Sequence, residues 1–348
     1  MQHETPKSSG FYFPAEWHTQ EAVWLSFPHN QNTWEGQKLS NIYPSYFQFI
    51  AEIAEVEKVR INCTESVKIY LENELKNQKI NLKNVELYLH PTNDAWCRDH
   101  GPAFLLHQQK KEKIVINWEY NAWGGKYPPF DADNQIPIQI AKTLNLPIVN
   151  AGIVMEGGSV DFNGEGTVLT TTNCLLNKNR NPHLSQTEIE KYLCEFYGVN
   201  QVIWLGEGIV GDDTDGHIDD ITRFINQNTV ITMVEKNKKD ENYHYLEENL
   251  ERLQNIQLHN GNKLQIIPIQ MPTPYFMDNE RLPASYANFL IINEKVIVPT
   301  FKCEEDKNAL GILQDCFPKH KIIGIDASDI IWGLGSFHCL SQQEPAII

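Results

Sequence analysis

Short apolar runs alternate with amphipathic segments along nearly the whole chain, and that alternation leaves few architectures open. Val23 to Phe27, Val59 to Cys63, Val85 to His90 and Ile114 to Trp118 read as buried strands. Between the first three, Pro44 to Glu57 places Phe47, Ile50, Ile53 and Ala54 on one helical face, and Ser66 to Asn77 reads as a second helix. The alternation continues with helices over Pro137 to Leu144, Ser185 to Phe196 and Tyr243 to Leu253. Strands are expected at Thr167 to Thr172, Val202 to Leu205, Lys263 to Ile269, Ala287 to Ile292, Val296 to Pro299 and Ile322 to Ile325. Ile221 to Val234 reads as a hairpin turning near Asn226-Gln227-Asn228, and Ser185 with Glu188 makes a capping box. Such an order gives a mixed α/β architecture. No linker, charge run or exact repeat divides the 348 residues, so one domain over 1–348 is expected.

Charge narrows the partners. The formal net charge is −16, from 29 Lys+Arg against 45 Asp+Glu, which disfavours nucleic acid or an anionic membrane and suits a cationic small substrate. Seven cysteines stand scattered and odd in number, without C-x-x-C, so neither a zinc site nor a disulfide framework is expected. Met1 to Gly10 is polar, and no stretch approaches the roughly 18 apolar residues of a membrane span. A cytoplasmic protein is the expectation.

Two segments carry the chemistry. Gly333-Leu334-Gly335-Ser336-Phe337-His338-Cys339 presents one thiol on a tight, glycine-containing backbone, with an inert buried cysteine as the alternative. Gly211 to Asp220 holds five carboxylates and His217 in ten residues. A calcium loop is excluded there: with Gly216 at its sixth place, the first ligand would be Gly211 and the twelfth Thr222. No phosphate-binding loop motif occurs, and His217 with Asp219 lacks the further ligands of a transition-metal site. Glu156, at the end of an apolar run, is either exposed at an edge or functional, because a lone buried acid is costly. The aromatic loop Trp123 to Pro129 reads as surface packing.

A thiol among carboxylates is poorly placed to ionise, since the acids raise its pKa. The arrangement makes sense when the substrate itself brings the positive charge. A guanidinium is planar, and carboxylates at its edges hold it while its central carbon becomes the electrophile.

At this point a resemblance enters. Trp96-Cys97-Arg98-Asp99-His100-Gly101-Pro102, Glu156-Gly157-Gly158 with Asn177 to Pro182, Gly211 to Asp219, and Gly333 to Pro345 resemble, in order, four blocks of the agmatine deiminase / bacterial peptidylarginine deiminase family. The match spans about 10–345. It implies a pentein fold, a five-bladed α/β propeller of ββαβ-type modules around a central site. It also implies Cys339 as nucleophile, His217 as general acid and then base, Asp99 and Asp219 as guanidinium-gripping carboxylates, and Glu156 as the partner of His217. Asp213 would meet the far ammonium of agmatine, and Trp96 would pack on the substrate or serve as a core aromatic. No metal or cofactor is implied, and proteins of this kind often pair as homodimers. Leu334 and Phe337 depart from the glycine and isoleucine common in the last block, and Asp213 stands where glutamate is frequent. Alternatives on the same scaffold are a peptidylarginine or free-arginine deiminase, or an inactive protein that binds guanidino ligands. A papain-like hydrolase is disfavoured because its local cysteine signature is missing.

Overall fold

The computed structural model describes residues 4–348. Five of its sheets share one connectivity: an antiparallel strand pair, a crossover helix, then a strand parallel to the second of the pair. Parallel pairing demands such a crossover, and the helix it inserts covers a sheet face. In the first module Ala103–His107 and Lys113–Glu119 pair antiparallel, and the Ile136–Leu144 helix leads to Ile148–Val154. The second uses Asp161–Phe162, Thr167–Thr171, the Gln186–Tyr197 helix and Gln201–Leu205. The third uses Thr222–Asn226, Thr229–Val234, the Tyr243–Gln254 helix and Gln265–Gln270. The fourth uses Leu290–Ile291, Lys295–Thr300, the Glu305–Cys316 helix and Lys321–Asp326.

The fifth module is assembled from both ends of the chain. Ser341–Pro345 pairs antiparallel with Gln20–Ser26, and the Leu39–Ala54 helix carries the chain to the parallel strand Lys58–Asn62. Buried ionic contacts pin this closure. Glu344 accepts from Trp24 Nε1 at 2.9 Å and Lys113 Nζ at 2.8 Å, and it also pairs with Arg60. An additional hairpin, Tyr275–Met277 with Glu280–Leu282, stands apart from the five.

Local expectations met the structure closely where periodicity was strong. The Ser185 capping box forms, with Glu188 answering from N3, ahead of Gln186–Tyr197. The first long helix begins at Leu39, ahead of the expected start, and runs through Pro44. Its apolar face, including Phe47, Phe49, Ile50 and Ile53, is buried, and that packing outweighs the one backbone bond proline removes. The expected Ala287 to Ile292 strand shrinks to Leu290–Ile291, because Asn288 is engaged elsewhere. The described residues include no helix long and apolar enough to cross a membrane.

One regularity positions the site. Each module is entered through a segment that precedes its first strand, and chemistry-bearing residues gather there. Asp99 precedes Ala103–His107, Glu156 to Gly158 precede Asp161–Phe162, and His217 to Asp220 precede Thr222–Asn226. Asn288 precedes Leu290–Ile291, and Cys339 precedes Ser341–Pro345.

Candidate active site

These five entry segments converge. Cys339 is buried, with Asp219 Oδ2 3.6 Å and Asn288 Nδ2 2.9 Å from its Sγ. Its loop is shaped by Gly335: a Cβ there would fall 2.6 Å from the Trp96 ring and 3.0 Å from Cys339 Cβ. Leu334, beside it, occupies left-handed backbone at φ +68°, a region that favours glycine. Phe337 anchors the loop against Phe49, 4.8 Å between ring centroids.

Four of the residues expected to act together do lie together. His217 Nδ1 is 3.7 Å from Asp99 Oδ1 and 4.0 Å from Asp219 Oδ1. Gly158 closes that triangle with backbone alone, its N–H donating to Asp99 Oδ1 at 3.0 Å. A Cβ on Gly158 would stand 2.6 Å from His217 Nδ1 and 2.8 Å from Asp99 Oδ1, so only glycine fits. Asp99 is held from its other side by Trp123 Nε1 at 3.0 Å, and Asp219 by His338 Nδ1 at 2.7 Å. Fixed carboxylates of this kind need no reorganisation to receive a cation.

Glu156 is buried and paired with Arg180, whose guanidinium also reaches Asp215 and the Thr214 carbonyl. Its polar atoms lie within 4.8 Å of those of His217 and Cys174, but it makes no hydrogen bond to His217. Both His217 ring nitrogens, Glu156 Oε2 and Asp219 Oδ1 are buried without hydrogen-bond partners. Unpaired polar atoms are costly in a core, and a cluster of them marks space arranged for something other than protein.

Electrostatics sort the groups. Burial pushes Asp99 up to about 6, with Asp219 and Glu156 adding to the rise against the opposing pull of His217. For His217 burial works against the charged form, yet Asp99, the neighbouring Cys174 and Asp219 together raise it well above its ordinary value. The Cys339 thiol is pushed well up by burial and then by Asp219, Asp220 and Asp99, while Asn288 acts in the other direction. Asp219 is lowered: burial opposes this, but His338 and His217 outweigh it.

Outward from this cluster lies a cavity of about 860 Å³, lined by the buried Cys339, Asp99, Trp96 and Trp123. The more exposed Asp213, Tyr127 and Lys126 line it as well. Tyr127 donates to Asp213 Oδ2, Lys126 donates to the Asp213 carbonyl, and Lys126 also meets Asp215 Oδ1 at 2.9 Å. Trp96 is buried against Trp34, 5.6 Å between ring centroids, and also lines the cavity.

The acidic loop proves to be a set of separately employed carboxylates. Asp212 accepts from the backbone N–H of Thr214, Gly216 and His217, at 2.7 to 3.0 Å, which holds the histidine's loop in shape. Asp213 faces the cavity, Asp215 takes Arg180 and Lys126, Asp219 takes His338, and Asp220 takes Asn288.

The sequence reading missed several participants. The aromatic loop is surface only in part: Gly125 to Pro129 are exposed, but Ala122, Trp123, Gly124 and Gly125 all have positive φ, and this left-handed turn delivers the buried Trp123 indole to Asp99. Asn288 had been absorbed into an apolar run, where a lone amide among Tyr286, Ala287 and Phe289 was the available signal. His338 and Arg180 sat inside quoted motifs without a role.

Comparison with known proteins agrees with this geometry. Residues 12–345 match the family described as Porphyromonas-type peptidyl-arginine deiminase. The chain is 34% identical over 366 residues to an agmatine deiminase of Pseudomonas syringae pv. syringae, covering 98% of this chain and 97% of the relative. An agmatine deiminase structure from Enterococcus faecalis superposes with a TM-score of 0.91 at 31% identity, over 100% of this chain and 99% of that one. A C. jejuni agmatine deiminase carrying a cysteine-to-serine change, with substrate bound, gives 0.86 at 34% identity, over 96% of each chain.

Proposed function

Because the chain belongs to the family of Porphyromonas-type peptidyl-arginine deiminases, we propose that it is an agmatine deiminase, hydrolysing agmatine to N-carbamoylputrescine and ammonia. The observation that carries the substrate is the shared cavity, which the buried Cys339 and Asp99 line together with the partly exposed Asp213. Agmatine has a guanidinium at one terminus and an ammonium at the other, and two acidic poles match it. Arginine would bring a carboxylate. The lining residues include only Lys126 and His29 as cation sources, and Lys126 is already committed to Asp213 and Asp215.

In the proposed mechanism the bound guanidinium sits between Asp99 and Asp219 and places its positive charge beside Cys339. That charge offsets the carboxylates that hold the thiol up, so the thiol gives its proton to solvent through the cavity and the thiolate forms as the substrate enters. Sγ attacks the guanidinium carbon, forming the C–S bond. His217, held protonated by its acidic neighbours, gives its proton to the departing nitrogen, and ammonia leaves as the C–N bond breaks. An S-alkylthiouronium remains. His217 then takes a proton from water, the hydroxide adds to the same carbon, and collapse breaks C–S to release the ureido product. Glu156, fixed by Arg180, keeps negative potential beside the imidazole through both proton transfers. These steps call on no cofactor. The five modules are read as blades of one pentein ring around this site, a single catalytic unit, with a cytoplasmic homodimer as the working form.

Purified protein incubated separately with agmatine, L-arginine and a blocked arginyl peptide tests the reading, with ammonia and ureido product followed and Cys339→Ala as control. Turnover of agmatine alone, lost in the variant, is expected. Turnover of arginine or peptide instead would overturn the substrate, and a fully active Cys339→Ala would overturn the nucleophile.

A further inference from the structure

Four of the five modules contribute, through the segment entering their first strand, a residue already given a role: Asp99, Glu156, His217 with Asp219, and Cys339. The fourth module contributes Asn288 from the same topological place. Its amide orientation is settled by its surroundings. Oδ1 receives Ser336 Oγ at 2.8 Å, the His338 N–H at 3.1 Å and the Cys339 N–H at 3.3 Å, all donors. Reversing the amide would set –NH₂ against two backbone N–H groups, so Nδ2 must be the atom facing the other way. There it meets Cys339 Sγ at 2.9 Å, Asp220 Oδ1 at 2.9 Å and Asp219 Oδ2 at 3.3 Å.

We propose that Asn288 is a catalytic group: its amide N–H donates to Cys339 Sγ, stabilises the thiolate as it forms, and aims it at the substrate carbon. The proposal rests on the reading of Cys339 as nucleophile. The charged groups around the sulfur are Asp99, Asp219 and Asp220, with the His217 imidazolium set against Asp99 and Asp219, the Arg98 guanidinium also near, and His338 reaching the sulfur only through Asp219. All three acids oppose ionisation, and Asn288 supplies the nearby donor that favours it. The same amide grips the backbone of the cysteine loop through Oδ1, so one side chain sets both the position and the charge of the nucleophile. With two N–H groups for three acceptors, it also restrains Asp219, which His338 holds as well, and Asp220.

The test uses Asn288→Ala and wild type, first without substrate. Cys339 alkylation by iodoacetamide is followed peptide by peptide by mass spectrometry across a pH series, then kcat and KM for agmatine are measured. The alkylation midpoint is expected to rise by about one pH unit or more, and kcat to fall on the order of a hundredfold, as for loss of a hydrogen bond to a charged group. KM should stay within about threefold, since the substrate's own contacts are untouched. Asn288→Ser, which leaves a small polar side chain, decides the matter where the alanine variant melts early. An unmoved midpoint together with kcat within threefold of wild type in a folded variant overturns the proposal. Because alkylation needs no agmatine, a wild type silent on every guanidino compound would sink the substrate reading while leaving the role of Asn288 measurable.

Discussion

The buried and the more exposed parts of the cavity lining are both acidic, yet they are built on different physical terms. Asp99, Asp219 and Glu156 are buried, each fixed by a second side chain: Trp123, His338 and Arg180 respectively. Asp213 is held by Tyr127 and Lys126, on loops that stay partly exposed. A carboxylate fixed in a dry interior is worth far more to a developing charge than one in contact with water. In the proposed reaction the buried carboxylates govern the chemistry and Asp213 governs which molecule is admitted.

The largest predicted effect tests that division directly. Asp219→Asn should lower kcat/KM for agmatine by three orders of magnitude or more, because it removes charge from the guanidinium and the partner of His338. Asp213→Asn should raise KM about tenfold with kcat nearly unchanged, in line with one charge-assisted hydrogen bond. Steady-state kinetics of the two variants would break the comparison if both changed kcat alike.

Stability sharpens the same contrast. Arg180→Met strands the Glu156 charge in the interior and should cost about 3–5 kcal/mol, with a clear fall in Tm. Lys126→Met, among the more exposed groups, should cost no more than about 1 kcal/mol. Denaturant midpoints of the pair separate the two.

A pH series comes next. Asp99 must be a carboxylate to hold a guanidinium, so kcat/KM should fall about tenfold per pH unit below pH 6. Stability runs the other way for this residue. Its folded value lies above the roughly 3.9 of an unfolded aspartate, so the fold favours the protonated form. Its stabilising contribution is full at acid pH and is lost as pH rises through 6. Pairing kcat/KM with Tm over pH 4 to 8 would show these opposed slopes, weakened together in Asp99→Asn. The smallest effect belongs to Tyr127→Phe, which should raise KM two- to threefold and leave stability within about 0.5 kcal/mol, read by the same kinetics and melting.

What the sequence disclosed follows how local each signal was. The Ser185–Glu188 capping box, the Thr222–Val234 hairpin and most crossover helices lie in windows of a dozen residues, and they form as read. Cys339, His217 and Glu156 stood out as candidates because glycines and acids punctuate their loops in an unusual way, and Asp99 took its role from the family resemblance. Trp123 was misread as surface, since its contact with Asp99 depends on a left-handed turn that composition does not announce. Asn288 was hidden for a related reason: its six polar contacts at the site lie in two other loop segments distant in sequence. Sequence marks a reactive group more readily than the group that holds it.

The pairing of Ser341–Pro345 with Gln20–Ser26 also sets a timetable for synthesis. Trp24 and Glu344, joined across that sheet, stand 320 residues apart. While the intervening chain emerges from the ribosome, the Gln20–Ser26 strand keeps an open edge, exposed to stray pairing. Closing so long a loop is entropically costly, and such non-local pairing makes for slow folding. The strand that closes the sheet follows directly on Cys339, so the proposed nucleophile reaches its acids only when that edge is sealed. A nascent chain thus stays chemically silent until its architecture is whole, and chaperone dependence should concentrate in that interval.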